Sequence, residues 1–254
     1  MSVQFETKDH VAIITMNRPE ARNAINGAMA TGIEAALDRY ETDESLWAAV
    51  LRGSGTVFCA GADLKEIAAG NAGSTATQKG GFAGIVHRER SKPLIAAVHG
   101  PALAGGCEIV LSCDLIVASE EALFGLPEVK RSLIAVAGAL FRLPRAIGMT
   151  QAMEVILTGE PLTAERAYEL GLVNRLVEPD QVLDEALLLA RKIASNAPLA
   201  VQASRNLAAR AFSADEATLW REGFEAFQRN MRTEDAQEGP RAFIEKRAPR
   251  WQAR

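Results

Sequence analysis

Apolar positions in the first 180 residues fall into two alternating spacings. Val11 to Met16 is a short, mostly apolar run closed by Arg18-Pro19, and it reads as a buried strand. Ile25, Met29, Ile33 and Leu37 then recur at intervals of four, with Tyr40 three further on, which is one face of an amphipathic helix packed on a sheet. The alternation continues through a strand at Trp47 to Leu51, a helix ending at Ser91-Lys92-Pro93 and a strand at Leu94 to Val98. A helix beginning near Gly105 follows, then a strand at Leu115 to Ala118 and a loop that ends in Glu128. After an apolar stretch closed by Pro144, Met149 to Leu157 reads as helix. Gly159 and Pro161 break it, and Thr163 is placed to cap the next one. Leu172 to Val177 is the last strand signal. The remainder reads as four helices, 184–195, 199–211, 215–231 and 234–246. The pattern therefore predicts an α/β core followed by an all-helical tail, which either covers that core or packs against another subunit. No sequence repeat of about 20 to 50 residues is present, although strand-strand-helix units fit the spacing.

Composition narrows the function classes. The chain has 254 residues, 48% of them hydrophobic, ample for a core. Its 28 basic and 32 acidic residues are intermixed, with a net charge of −4, so nothing draws it to nucleic acid or to an anionic membrane surface. A polyanionic ligand would need a local basic site. The start, MSVQFETKDH, lacks the basic-then-apolar order of a signal peptide, and no apolar run approaches the roughly 18 residues of a membrane span. The cytoplasm is the default location. Cys59, Cys107 and Cys113 lack CxxC spacing and His10, His87 and His99 fall in no ligand pattern, so no metal is expected. Cys107 and Cys113, six apart in an apolar helix, read as small core residues. Residues 70–84, rich in Gly, Ala, Ser and Thr, are either a flap over a site or a surface loop.

The chemistry concentrates between Val98 and Glu128. Glycines at a helix start expose unpaired N–H groups beside the positive end of the helix dipole, and Glu108 in the first turn and Glu128 twenty residues on are acid/base candidates. A place for developing negative charge beside two carboxyl groups suits an enolate-forming enzyme. Taken singly, Glu108 also reads as favourable dipole placement and Glu128 as an exposed loop residue. Gly53-Ser54-Gly55 begins like a dinucleotide fingerprint, but Phe58 stands where the third glycine belongs. In Cys59-Ala60-Gly61-Ala62-Asp63-Leu64 the small residues let a ligand approach the backbone, and Asp63 can start the helical turn that follows.

Six segments together resemble the crotonase superfamily, the enoyl-CoA hydratase/isomerase family, along the whole chain. They are Asn17-Arg18-Pro19 with Asn23-Ala24-Ile25, FCAGADL at 58–64, HGPALAGGCEIVLSCD at 99–114, FGLPEV at 124–129, LTGEPLTAERAYELGLVNRLV at 157–177 and EGPRAFIEKR at 238–247. The resemblance implies a spiral of strand-strand-helix units over about residues 1–195, with a C-terminal helical trimerisation region over 196–254. It also implies acyl-CoA thioester substrates and assembly as a homotrimer or a dimer of trimers. The expected reaction is enoyl-CoA hydration, with an oxyanion hole formed by the backbone N–H groups of Ala62 and Gly105. Glu108 is expected to deprotonate water and Glu128 to donate the α-proton. Arg22, Ala24, Ala60, Asp63 and Leu64 are expected along the coenzyme A path, with Phe243 and Lys246 supplied from the C-terminal region, in some assemblies that of a neighbouring subunit. No separate cofactor is implied, coenzyme A being part of the substrate. Isomerisation of 3-enoyl to 2-enoyl-CoA and non-catalytic acyl-CoA binding are the alternatives. One departure concerns Ala135-Val136-Ala137-Gly138-Ala139, where many members carry Pro-Gly-Ala-Gly-Gly. Fewer glycines mean a bulkier, stiffer wall near the acyl group. The segment LPEVKR and the C-terminal stretch look closer to the crotonobetainyl-CoA hydratase subgroup, whose quaternary ammonium substrate favours aromatic partners.

Overall fold

The computed structural model describes residues 1–254 apart from the side chain of Ala72. β1 (Val3–Lys8) and β2 (Val11–Met16) form an antiparallel hairpin with Val3 opposite Met16. The apolar pattern does not reveal β1, because it is an edge strand with no fully buried side chain. Helix α1 (Gly27–Thr42) starts where the Asn26 side chain accepts the Met29 N–H, and it buries Met29, Ile33, Leu37 and Tyr40 as their spacing predicts. Then come β3 (Ala48–Gly53), the short α2 (Leu64–Ala68), the two-residue strands β4 (Ala76–Thr77) and β5 (Gly81–Phe82), β6 (Leu94–Val98) and β7 (Ala102–Leu103). α3 (Gly105–Val110), β8 (Leu115–Ser119) and β9 (Leu123–Gly125) lead into a 3-10 turn at Pro127–Arg131. α4 (Ala139–Ile147), α5 (Met149–Thr158), β10 (Leu162–Thr163), α6 (Ala164–Glu169) and β11 (Arg175–Val177) follow, then α7 (Val182–Ala194), α8 (Pro198–Ala208), α9 (Glu216–Asn230) and α10 (Glu234–Ile244).

The main sheet has the order β1-β2-β3-β6-β8-β11, parallel everywhere except at β1. Each of β2, β3, β6 and β8 is followed by a second, shorter stretch that pairs with its counterparts in neighbouring units. These stretches are Ile25, Cys59 to Ala62, β7 and β9. A helix or 3-10 turn then leads back to the main sheet, so the unit is strand-strand-helix. One face of the main sheet packs with α1 in the larger apolar core, and the other is covered by Val182, Ala186, Leu187 and Ala190 of α7. That two-sided burial is why its central strands read as continuous apolar runs.

Four expectations change. Residues 83–87 are turns and 88–90 irregular rather than a helix, because Arg88 and Arg90 turn inward to Asp38 and Asp114 and leave no helical face. Pro144 lies inside α4 instead of ending it; it removes one N–H, and the Gly148 N–H still bonds the Pro144 carbonyl. Cys113 sits in the turn after α3, not in the helix. The final strand is shortened to three residues, since the N–H groups of Leu172 and Val173 are taken by the Ala167 carbonyl at the end of α6.

Candidate active site

The short strands assemble the site. Cys59 bridges Ala102, and β7 runs parallel to β9, with Ala102 opposite Phe124 and Leu103 opposite Gly125. Three chain segments therefore leave this small sheet side by side in the same direction. The first carries Gly61 and Ala62, the second Gly105 and Glu108, and the third Glu128. On the far side Ile25 bridges Ala62 and brings Arg22 to Ala24 alongside.

Backbone geometry frees two N–H groups there. In the Ile25 bridge the Ile25 N–H donates to Gly61 and the Asp63 N–H to the Ile25 carbonyl, so the Ala62 N–H faces the opposite side, where Ala104 and Gly105 lie. Gly61 has φ +90°, and a Cβ there would stand 2.9 Å from the Ala104 Cβ and 3.0 Å from the Gly105 nitrogen, so only glycine permits this approach. Ala104 is held at φ 52°, ψ −129°, a backbone state costing an L-residue about 1 to 3 kcal/mol. This turns the peptide into Gly105, whose N–H begins α3 without an intrahelical acceptor.

The glutamates are buried in different ways. Glu108 is only 4% exposed, and its Oε1 accepts the Ala139 N–H at 3.2 Å. Burial pushes its carboxyl up to about 7, the negative charge of Glu128 adds to the rise, and the N–H groups of Ala139 and Ala137 with the Arg142 guanidinium oppose it. Burial also raises Glu128, against its own backbone N–H and Arg131. The Glu128 Oε2 is buried with no hydrogen-bond partner among the described residues. Two carboxyl groups whose hold on a proton is strengthened by burial, beside two free N–H groups, can exchange protons with a ligand whose oxygen those N–H groups hold.

The other expected site residues divide. Arg22, exposed, and Ala24, Ala60 and Leu64 line the rim on the Ile25 side, tied together by the Ala60 N–H donating to the Arg22 carbonyl. Asp63 is there too, but its carboxylate is already engaged by the Lys65 N–H and by Arg18 at 3.2 Å, so it organises the turn. Phe243, 85% exposed on α10, and Lys246 just beyond it form no hydrogen bond or ion pair with these residues within the chain. Within residues 70–84 a 3-10 turn leads into a short hairpin over 76–82 pinned to α1, with the Thr77 hydroxyl and the Gly80 N–H donating to Glu34. Its Phe82 ring lies against Gly105.

Three residues build the site through contacts that their segments do not single out. Buried Asn23 donates to the carbonyls of Ser54 and Val57 and accepts the Arg18 N–H, which locks the Arg22 to Ala24 turn. Phe82 borders Gly105, and Ala139 holds Glu108 through its backbone. Asn23 stands out only within a motif, Phe82 lies in the 70–84 stretch and Ala139 in the Ala135 to Ala139 wall, and none is marked individually, because their roles are contacts made across the fold. In the Ala135 to Ala139 stretch Val136 is 78% exposed, and the backbone N–H of Ala139 reaches Glu108.

A family model described as enoyl-CoA hydratase/isomerase matches residues 6–254. The chain belongs to the enoyl-CoA hydratase/isomerase family. Among its relatives is the mevalonyl-coenzyme A hydratase sidH of Aspergillus fumigatus, 42% identical over 98% of this chain and 93% of that protein. A crystal structure of an enoyl-CoA hydratase from Mycobacterium tuberculosis H37Rv superposes with a TM-score of 0.96 at 46% identity, covering 100% of this chain and 99% of that one. A carnitinyl-CoA hydratase structure from Mycobacterium avium superposes with a TM-score of 0.77 at 46% identity over the same shares.

Proposed function

We propose that this chain adds water across the 2,3 double bond of a 2-enoyl-CoA thioester. The observation that carries the reading is the convergence of Glu108, buried, and Glu128, half-buried with its Oε2 enclosed, both raised, on the two free N–H groups of Ala62 and Gly105. The N–H pair would hold the thioester oxygen as it takes up charge. Glu108 would draw a proton from water while the hydroxyl bonds to C3, and Glu128 would protonate C2 of the resulting enolate, both from one face. Proton exchange with solvent restores the pair. The reaction balances as one water added, with no oxidant or separate cofactor, so coenzyme A enters only as part of the substrate. Arg22, Ala24, Ala60, Leu64 and the backbone of Asp63 are read as the coenzyme A path.

A double-bond shift needs only one carboxyl group, and a binding protein needs neither. Keeping two carboxyl groups in a desolvated pocket is costly, which favours hydration over both alternatives. The names of the sidH protein and of the Mycobacterium avium structure differ in acyl group, and Phe82 supplies an aromatic ring beside Gly105, so crotonobetainyl-CoA belongs in the test. The purified protein is expected to hydrate members of a panel of 2-enoyl-CoAs, seen as loss of enoyl thioester absorbance and a mass gain of one water. The rate should fall on the acid side through about pH 7 as Glu108 takes up a proton. Unchanged mass with altered retention would identify isomerisation. Tight coenzyme A binding without turnover would identify a binding protein.

The assembly is read as a trimer or a dimer of trimers, built by the helical region over 196–254. Trp220, Phe224, Phe227 and Met231 form an exposed stripe along α9, a face that a single chain leaves in water and that a second copy would bury. Phe243 and Lys246 would then serve a neighbour's site. Light scattering on the native protein and on Phe224→Asp is expected to show a trimer or hexamer that the substitution weakens, and a monomeric native protein would overturn this. No helix among the described residues is long and apolar enough to cross a membrane, and the three free thiols suit a reducing compartment such as the cytoplasm.

A further inference from the structure

Glu108 sits where α3 meets the start of α4, and the wall that holds it is itself held. Its Oε1 accepts from Ala139, the first residue of α4, just past the elbow at Gly138 with φ +113°. Arg142, one turn along the same helix, reaches back over that elbow. Its Nη2 donates to the Val86 carbonyl at 2.6 Å, and its Nη1 lies 3.4 Å from the Ala137 carbonyl and 2.5 Å from where a Gly138 Cβ would stand. Arg142 thus joins the turn after the Phe82 hairpin to the backbone that supports the glutamate.

The charges around Glu108 are few. Glu128 faces it from the 3-10 turn with like sign, and Arg142 from α4 with opposite sign. Behind Arg142 lie Arg90, Arg145 and the thiol of Cys113, and the ring of Phe141 is 5.5 Å from the guanidinium. A guanidinium keeps its charge even when burial disfavours it.

We propose that Arg142 is a positioning residue for water addition: it clamps the Ala137 to Ala139 elbow in register and supplies the positive charge that keeps Glu108 available as a base at neutral pH. The proposal rests on the reading of Glu108 as the base. Burial and Glu128 both favour the protonated form, which cannot accept a proton from water; the N–H groups of Ala139 and Ala137, at the elbow that Arg142 clamps, oppose them, and the Arg142 charge adds to that opposition.

The test uses two variants in the full-length protein. Arg142→Gln removes both the charge and the forked donor, and Arg142→Lys keeps the charge but loses the fork. In Arg142→Gln the acid limb of kcat/KM, measured with the best thioester of the panel, is expected to move up by about one pH unit, so that the rate falls about tenfold more at pH 6 than at pH 9. In Arg142→Lys the limb should stay near its native position. Titration of the Glu108 carboxyl by ¹³C NMR, assigned by its disappearance in Glu108→Gln, should move in the same way without any turnover. An unmoved Glu108 titration in Arg142→Gln, or an equal shift in both variants, would overturn the proposal. If no thioester is hydrated by the native protein, the water-addition reading fails by itself, and the NMR titration still decides whether Arg142 sets the state of Glu108.

Discussion

Glu108→Gln is expected to lose roughly 10²- to 10⁴-fold in kcat for hydration while becoming more stable above neutral pH. The two effects share one cause. Glutamine keeps an oxygen for the Ala139 N–H and fills the same volume, so the wall should stand, but it cannot take a proton from water. The native carboxyl holds its proton up to about pH 7, whereas the unfolded chain releases it in the usual carboxylate range. The folded state therefore binds more protons across that window, and the stability tied to this group falls as pH rises through it and is lost above about pH 7. Glutamine has nothing to ionise and escapes that loss, by up to about 3 kcal/mol. Thermal melts at pH 5 and pH 8 check this: the variant should gain on the native protein at pH 8, with little difference at pH 5. Equal melting curves at pH 8 with full loss of activity would show that Glu108 is not held in an unfavourable ionised state.

The second large effect is expected from Gly105→Ala. The new methyl group would stand 2.4 and 2.5 Å from two atoms of the Phe82 ring, and the ring belongs to a hairpin pinned to α1 by Glu34, so α3 has to move at its first turn. That displaces the Gly105 N–H and, three residues on, Glu108. A misplacement near 1 Å costs on the order of 10²-fold, similar to loss of one oxyanion donor. The double variant Gly105→Ala with Phe82→Ala removes the obstacle and should recover most of kcat, unless Phe82 itself shapes the acyl site, in which case KM rises while kcat returns. Steady-state kinetics separates these outcomes. A Gly105→Ala protein with native kcat would mean that this N–H does not hold the reacting oxygen.

Much of the fold was legible from spacing. The core strands bury both faces and so read as apolar runs, and α1 buries one stripe and so shows a four-residue interval. Three kinds of element escaped. β1 is an edge, β7, β9 and β10 are two or three residues long, and residues 83–90 hold two inward-facing arginines that mimic helix composition. Short strands have no period to detect, yet they are the ones that build the site.

By itself the sequence determined the α/β order, the helical C-terminal third, the two glutamates and the small residues through which backbone could approach a ligand. These are local properties, written in the spacing and residue type of short segments. The tertiary structure alone decided that Ala62, Gly105, Glu108 and Glu128 meet, because parallel pairing of short strands far apart in sequence sets which residues leave the sheet together. It decided also that Ala139 and Arg142 support Glu108 and that Phe82 crowds Gly105. The shift of the Glu108 carboxyl likewise exists only in the fold, since desolvation and neighbouring charge depend on what surrounds a group in space and not on what flanks it in the chain.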